Sequence, residues 1–427
     1  MRTIYILGVA ILLGITVYLS ISLFFKTEDK KEFSTKETLM LNVLKGKGIS
    51  NISDLKVSFD SMIVIDYQDK ISNISVKDIL DTAFHVNLEF NKDALFSSIS
   101  EVEVKDSIIL VFGTRSIGEY VLSIFSSSGK FIRNIGNVGK GPKEYIKLSG
   151  YEIYKNNIYL FDDGRTGILK FDINGNHIRS YRLPFRFQDM KYLNDSLILF
   201  NPSPYNNHLP EIQGYDIIVT DTCFVPLKRA FYTNRAKRKL TFGVGSSYFS
   251  RYKASIYFHP LFSDTIYSIN NKCELKAFVS YKFGKHQLTS NEKNKDDKEF
   301  IRYITDRDKI FIYHNIIITE NYIITKLVFC KPEKKGIILY NKKSATQKYF
   351  SPFQLKFNSS FIATPLNVMN MAGYVSDNVL ITHDNCNIRA FDEKSQQFLL
   401  KTLNKNTKES FLRETDVNDI ISFLKYK

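Results

Sequence analysis

Seven histidines, His85, His177, His208, His259, His286, His314 and His383, are the residues that could bind a transition metal, and no two of them lie four apart. The helical H-E-x-x-H pair of zinc hydrolases is therefore missing, and a metal site would have to be assembled from distant segments. His383 sits in HDN, a turn-forming tripeptide. No G-x-S-x-G is present, so the nucleophile elbow of serine hydrolases is excluded. Cys223, Cys273, Cys330 and Cys386 contain no C-x-x-C pair, which excludes zinc-ribbon and thioredoxin-type chemistry and leaves free thiols as the expectation, with two disulfides in an oxidising compartment as the alternative. Asp162 and Asp163, in the run FDDG, could pair for acid/base work or calcium, although aspartates ending a strand more often build its turn. The loop Gly136 to Lys143 (GNVGKGPK) fails both phosphate-cradle tests. A P-loop needs Lys and Ser or Thr directly after its last glycine, where this chain has Pro142 and Lys143, and the glycine spacing of a dinucleotide fingerprint is reversed. Gly136, Gly139 and Gly141 instead permit a sharp loop whose exit Pro142 fixes. Glu144, Tyr145, Asp163 and Arg165, around this loop and the D-D-G turn, are the candidate ligand contacts, and no cofactor or metal is expected.

What positions these residues is a succession of short strands. Ile108 to Phe112, Ile158 to Phe161, Leu197 to Phe200 and Val379 to Thr382 are apolar runs entered from the turn dipeptides DS, NN, DS and DN. Two hairpins share one form. VLSIFSSSGKFIRNIG aligns with ILKFDINGNHIRSYRL, placing Phe125, Gly129 and Ile132 on Phe171, Gly175 and Ile178. Repeats of about 40 to 50 residues built of four short strands indicate a β-propeller, since a single blade cannot bury both its faces. Strand clusters at residues 98–146, 147–194, 195–250, 251–300, 310–360 and 361–405 give an all-β, six-bladed β-propeller. Met62 to Tyr67 or Phe84 to Phe90 could pair with the last blade and close the ring. Leu288 to Asp308 reads as a helical insertion, and Val417 to Lys427 as a short amphipathic C-terminal helix.

The stretch Phe125 to Tyr145 (FSSSGKFIRNIGNVGKGPKEY) resembles the hairpin of the exported six-bladed β-propellers of Bacteroidetes, related to TolB-like and NHL-like propellers. The matching residues are Ile135, Gly136, Gly139, Gly141, Pro142, Glu144 and Tyr145, with Ser126 and Lys143 as departures from that pattern. Asp264 to Asn270 (DTIYSIN) and Tyr281 to Lys285 (YKFGK) are similar to a second block of the same family. The resemblance covers about residues 60 to 405 and implies an exported six-bladed propeller. Many of its members look like lipoproteins, but no cysteine precedes Cys223 here.

Ile4 to Phe25 is a 22-residue run without a charge. As a helix it would span about 33 Å, the thickness of a bilayer core, so the propeller is expected to follow an N-terminal transmembrane or signal-anchor helix, with a cleaved signal peptide as the alternative. The resulting organisation is residues 1–32 anchor, 33–59 linker and 60–427 propeller. Only Arg2 precedes the run, while Lys26, Lys30, Lys31 and Lys36 follow it, a distribution that favours a cytoplasmic domain. The resemblance implies the opposite side, with the propeller periplasmic or extracellular. The net charge of +15 is concentrated: between Cys223 and Ser263 there is no acidic residue, but there are Lys228, Arg229, Arg235, Lys237, Arg238, Lys239, Arg251 and Lys253. Such a basic patch would steer polyanions, and no nucleic-acid recognition motif accompanies it. The expected function is a non-catalytic binding or interaction scaffold, membrane-anchored in the cell envelope, for an envelope protein, peptide or glycan. The rival is a glycan- or peptide-processing enzyme with Asp162, Asp163, Glu144 or His383 as its acid/base groups.

Overall fold

Each apolar run found in the sequence forms the second strand of a sheet: Ile108–Ser116, Asn157–Asp162, Ile198–Pro202 and Val379–Asp384. The computed structural model describes residues 49–68, 80–89, 92–233, 248–293, 309–329, 335–350, 371–376, 379–384 and 420–426, with breaks at 117 and 261, and a few isolated residues besides. Five blades are made of strands consecutive in the chain, and together with a closing sheet they form a β-propeller. The first blade is Ser98–Lys105, Ile108–Ser116, Glu119–Ser126 and Phe131–Asn134; the second is Leu148–Tyr154, Asn157–Asp162, Gly167–Asp172 and His177–Arg182. The third runs Phe187–Tyr192, Ile198–Pro202, Tyr215–Thr220 and Pro226–Tyr232, and the fourth Phe249–Tyr252, Ser255–Phe258, Thr265–Asn270 and Leu275–Lys282. The fifth is Ile310–Ile318, Tyr322–Phe329, Lys335–Asn341 and Thr346–Phe350.

The expectation of six blades along the sequence is corrected to five plus this closing sheet. It takes Met371–Ser376 and Val379–Asp384 in order, then Ile420–Tyr426, and finally Leu80–Asn87 from the other end of the chain. Of the two segments that could close the ring, Leu80–Asn87 does so, pairing antiparallel with Ile420–Tyr426. Ile63–Asp66 pairs instead with Val279–Lys282 on the outer edge of the fourth blade. The C-terminal helix is likewise corrected to a strand. Ile420, Ile421, Phe423 and Leu424 are strand formers, an isolated helix of about 11 residues is marginal in water, and here both neighbouring strands offer partners.

The aligned hairpins hold as read. Gly129 and Gly175 both take positive φ, 85° and 83°, at the turns between the third and fourth strands of the first two blades. The blade boundaries do not all hold: the third blade opens at Phe187, not at 195. Its inner strand, FQDMKY, is half polar, and a search for apolar runs passes over it. Within the expected helical insertion, Ser290–Lys293 is helical, with the Thr289 and Glu292 side chains each accepting from the other's backbone N–H.

Apolar layers fill the spaces between sheets. Leu110, Phe112, Leu122 and Ile124 of the first blade meet Tyr151, Ile158, Leu160 and Phe171 of the second. Leu199, Ile217 and Val219 of the third meet Phe249, Ile256 and Phe258 of the fourth. Each such buried Leu, Ile or Phe contributes about 1.5 to 3 kcal/mol of burial. Ile49 to Asp66 crosses the outer edges of the third and fourth blades, pairing in parallel with Lys228 and Arg229, with Leu275 and Lys276, and with Val279–Lys282. Edge strands that would otherwise present unpaired backbone are thereby covered. Among the described residues no helix is long and apolar enough to cross a membrane; the run Ile4 to Phe25 lies outside them.

Candidate functional site

The first strand of each sheet lies at one end of its sheet, and these strands touch one another in turn. Met371–Ser376 meets Ser98–Lys105, Leu148–Tyr154 meets Phe187–Tyr192, Phe187–Tyr192 meets Phe249–Tyr252, and Phe249–Tyr252 meets Ile310–Ile318. This is the arrangement that surrounds the central channel of a propeller. Four of these inner strands bring charge into it. Side chains two apart share a strand face, so Glu101 and Glu103 point the same way, as do Asp189 and Lys191.

Lys191 Nζ lies 2.6 Å from Glu152 Oε2, and Arg251 Nη2 lies 3.2 Å from Glu152 Oε1 while donating to the Tyr192 carbonyl at 2.6 Å. Asp189 accepts backbone N–H bonds from Met190 (2.7 Å), Tyr248 (2.8 Å) and Phe249 (2.9 Å), tying the inner strand of the third blade to that of the fourth. Glu152, Asp189 and Lys191 are buried, whereas Glu101 and Glu103 keep part of their surface open. Among the described residues, the four carboxylates of Glu101, Glu103, Glu152 and Asp189 thus face Lys191 and Arg251, with Lys105 acting on Glu103. Burial, reinforced by neighbouring carboxylates and only partly offset by Lys191, pushes Glu101 up to about 8 and Glu103 up to about 7. Asp189 is raised by burial despite Lys191 and its backbone donors. Burial pulls the Lys191 amine down, but Glu152, Asp189 and Glu101 outweigh it and the net direction is up. Tyr151, 2% exposed, is held well above the usual phenol value by burial and by the charges of Glu101, Glu103 and Glu152, and its hydroxyl has no hydrogen-bond partner among the described residues.

The residues singled out in the sequence assemble elsewhere, at the corner between the first two blades. Arg165 Nη1 donates to the carbonyls of Gly141 (2.8 Å) and Glu144 (2.9 Å), and its Nη2 to that of Gly139 (3.1 Å). Glu144 Oε2 accepts from the Gly141 N–H at 2.7 Å, leaving no room for a Cβ at Gly139. Asp162 accepts from the N–H groups of Ile146 and Lys147, with Arg165 Nε 3.7 Å away, so this carboxylate is used as a strand-end turn former. Asp163 pairs with Lys147 at 3.2 Å. Tyr145 is buried, its phenol pushed up to about 12 by desolvation, and its hydroxyl donates to the Tyr120 carbonyl. Gly136 takes φ +68°, and Pro142 is exposed, its carbonyl accepting from Ser180 Oγ. A recess beside Asp162, Asp163 and Arg186 has an enclosed volume of about 10 Å³, room for one water. The loop faces outward with Val138 (56% exposed) and Ile146 (48% exposed) among the exposed Lys140, Lys143 and Lys147.

In the basic segment, Lys228 and Arg229 are half-buried on the outer strand of the third blade. Arg229 pairs with Asp54 at 2.9 Å and lies over the Tyr215 ring. Arg235, Lys237, Arg238 and Lys239 lie outside the described residues. Cys223 and Cys273 are free thiols. His259 is buried and donates through Nε2 to the Ser263 carbonyl, and desolvation lowers it to about 4. Among the described residues no three His, Cys, Asp or Glu side chains are grouped so as to hold a metal ion.

Sequence reasoning missed the channel residues except Arg251, which it read as part of the basic segment and which the structure pairs with Glu152. A signal for them exists: Glu103, Glu152, Lys191 and Arg251 each precede a turn and then an apolar second strand, and pair across with Leu110, Tyr159, Leu199 and Ile256. Charge recurring at that register marks the inner strand of a blade.

The family model described as "Domain of unknown function (DUF4934)" matches residues 62–424. A crystal structure of a candidate exported protein from Bacteroides fragilis is similar over 86% of this chain and 100% of its own, with 18% identity and a TM-score of 0.68. A member of the duf4221 family from Bacteroides vulgatus is similar over 82% of this chain and 97% of its own, with 13% identity and a TM-score of 0.47. No curated protein matches by sequence.

Proposed function

The chain belongs to the DUF4934 family, and we propose that it is a non-catalytic binding scaffold whose contact surface is the loop between its first two blades. One observation carries this reading. The polar groups of that loop are turned inward and satisfied by Arg165, Glu144 and Asp162, while Val138, Ile146, Lys140, Lys143 and Lys147 are turned out. A loop held in shape before its partner arrives loses little entropy on binding. Its lysines and two apolar side chains suit an acidic peptide, protein or glycan segment with apolar groups of its own. In this reading Glu144, Tyr145, Asp163 and Arg165 act from behind and beside the contact surface.

The closing sheet serves as the sixth blade, and the run Ile4 to Phe25 anchors the propeller in the cell envelope. What supports that placement is the length and apolarity of the run together with the sequence resemblance to exported propellers. Protease accessibility in intact, outer-membrane-permeabilised and lysed cells tests it: protection until the inner membrane is opened would sink the envelope assignment. The contact surface is tested by a photo-crosslinking residue at Val138, with Tyr232, on the third blade, as a control that is at least as exposed. A discrete adduct from position 138 that is lost in Lys140→Glu/Lys143→Glu is the expected result; equal adducts from both positions would remove the loop from consideration.

A further inference from the structure

The channel charges do not balance, and the groups left over are those with open surface. Glu152 is committed to Lys191 and Arg251, and Asp189 to three backbone N–H groups. Among the described residues Glu101 and Glu103 have neither a hydrogen-bond nor an ion-pair partner at contact distance, yet both keep part of their surface open. The Tyr151 hydroxyl, on a side chain 2% exposed and without a partner among the described residues, is close enough to feel Glu101, Glu103 and Glu152. A buried hydroxyl left unsatisfied costs free energy that a ligand atom would recover.

We infer that Glu101, Glu103 and Tyr151 form a binding site in the channel for a primary alkylammonium group, with the Glu152–Lys191–Arg251 cluster as its fixed wall. The three donors of an ammonium match the three acceptor groups left without donors. A single inorganic ion fits less well, because the described carboxylates are not grouped as metal ligands. The ammonium also supplies the charge that Lys191 and Arg251 leave short.

Occupancy is coupled to protons. The titratable and charged groups facing Glu101 and Glu103 are Lys105 on their own strand, Glu152 on the second blade, Asp189 and Lys191 on the third and Arg251 on the fourth. The facing strand Met371–Ser376 contributes no acid or base besides Tyr374. Without ligand Glu101 is mostly protonated and Glu103 about half protonated at pH 7, and an arriving ammonium ionises them, so binding releases protons.

Titration calorimetry with cadaverine and with spermidine at pH 7, in two buffers of different ionisation enthalpy, tests the site on the whole protein. The expected result is saturable binding whose apparent enthalpy differs between buffers by the heat of about one proton released. Binding should weaken at least tenfold in Glu101→Gln and in Glu103→Gln and severalfold in Tyr151→Phe, and be unchanged in Glu274→Gln on the outer strand side of the fourth blade. The proton release is read on the unaltered protein, so it stands even if a variant folds poorly. Absence of heat with either amine overturns the inference, as does binding unaffected by Glu103→Gln. Saturable binding of Ca²⁺ alone that the same variants abolish overturns the assignment to an ammonium.

Discussion

Two charged regions of this propeller, the loop corner around Arg165 and the channel around Glu152, solve the burial of charge in opposite ways. At the corner, the inward-turned charges are matched to backbone donors or acceptors: Arg165 to three carbonyls, Glu144 and Asp162 to N–H groups. In the channel, side chains neutralise side chains, and the supply of cations stops short of the supply of carboxylates. The corner is complete and therefore rigid. The channel is incomplete, and its two outlying glutamates resolve the excess by holding protons. The difference shows that a buried charge marks a place open to a ligand only where its partners run out.

The largest expected effect comes from making the channel worse. Lys191→Met strands the Glu152 carboxylate beside Arg251 alone and should cost about 3 to 5 kcal/mol in urea unfolding. Adding Glu152→Gln in that background should recover a good part of the loss. If the single variant is as stable as wild type, the channel pair is not a buried salt bridge in solution and the comparison breaks. Next comes the corner. Arg165→Ala removes three hydrogen bonds and should cost about 2 kcal/mol, with trypsin cutting the native protein at Lys140 or Lys143. Arg165→Lys should restore little, because an ammonium cannot reproduce the planar fork. Full rescue by lysine would show that charge alone holds the loop.

The pH dependence of stability separates the regions more finely. Glu101 and Glu103 keep their protons in the folded channel to about pH 8 and 7, whereas the unfolded chain releases them near 4.5. The folded state therefore binds more protons across that window. Their contribution to stability is fully present below about 4.5, declines as pH rises and is lost above about 8. Glu101→Gln/Glu103→Gln should remove the decline, so its stability relative to wild type should grow between pH 5 and pH 9. Parallel urea midpoints for the two proteins at pH 5, 7 and 9 would mean that the glutamates are ordinary, solvated acids. The smallest effect belongs to Asp163→Asn, which breaks only the part-exposed pair with Lys147 and should change stability by under about 0.5 kcal/mol. A loss of several times that would make Asp163 part of the corner's frame.

Much of the fold was legible because second strands are the most apolar parts of a blade. Ile108 to Phe112, Ile158 to Phe161 and Leu197 to Phe200 are sandwiched between sheets, so their composition follows from burial on both faces. The aligned glycines at 129 and 175 were legible for an equally local reason, since their turns require positive φ. The loop motif was legible as a shape; its hydrogen bonding was not, because Arg165 reaches it from 21 to 26 residues away. The inner strands were hardest to read. FQDMKY and SISEVEVK carry charge where a buried strand is expected to be apolar, and only the ring explains why.

The sequence by itself determined the strand content, the turns, the repeat and the absence of familiar catalytic motifs. These depend on near neighbours in the chain, on alternation, on φ preferences and on residue spacing. Tertiary structure alone decided that Leu80–Asn87 and Ile420–Tyr426 would meet as strands, and that Glu101, Glu103, Tyr151, Glu152, Asp189, Lys191 and Arg251 would share one channel. The pairing energy of a strand and the ionisation of a carboxylate are set by what stands beside them in space. In a closed ring, that neighbour comes from another blade or from the far end of the chain.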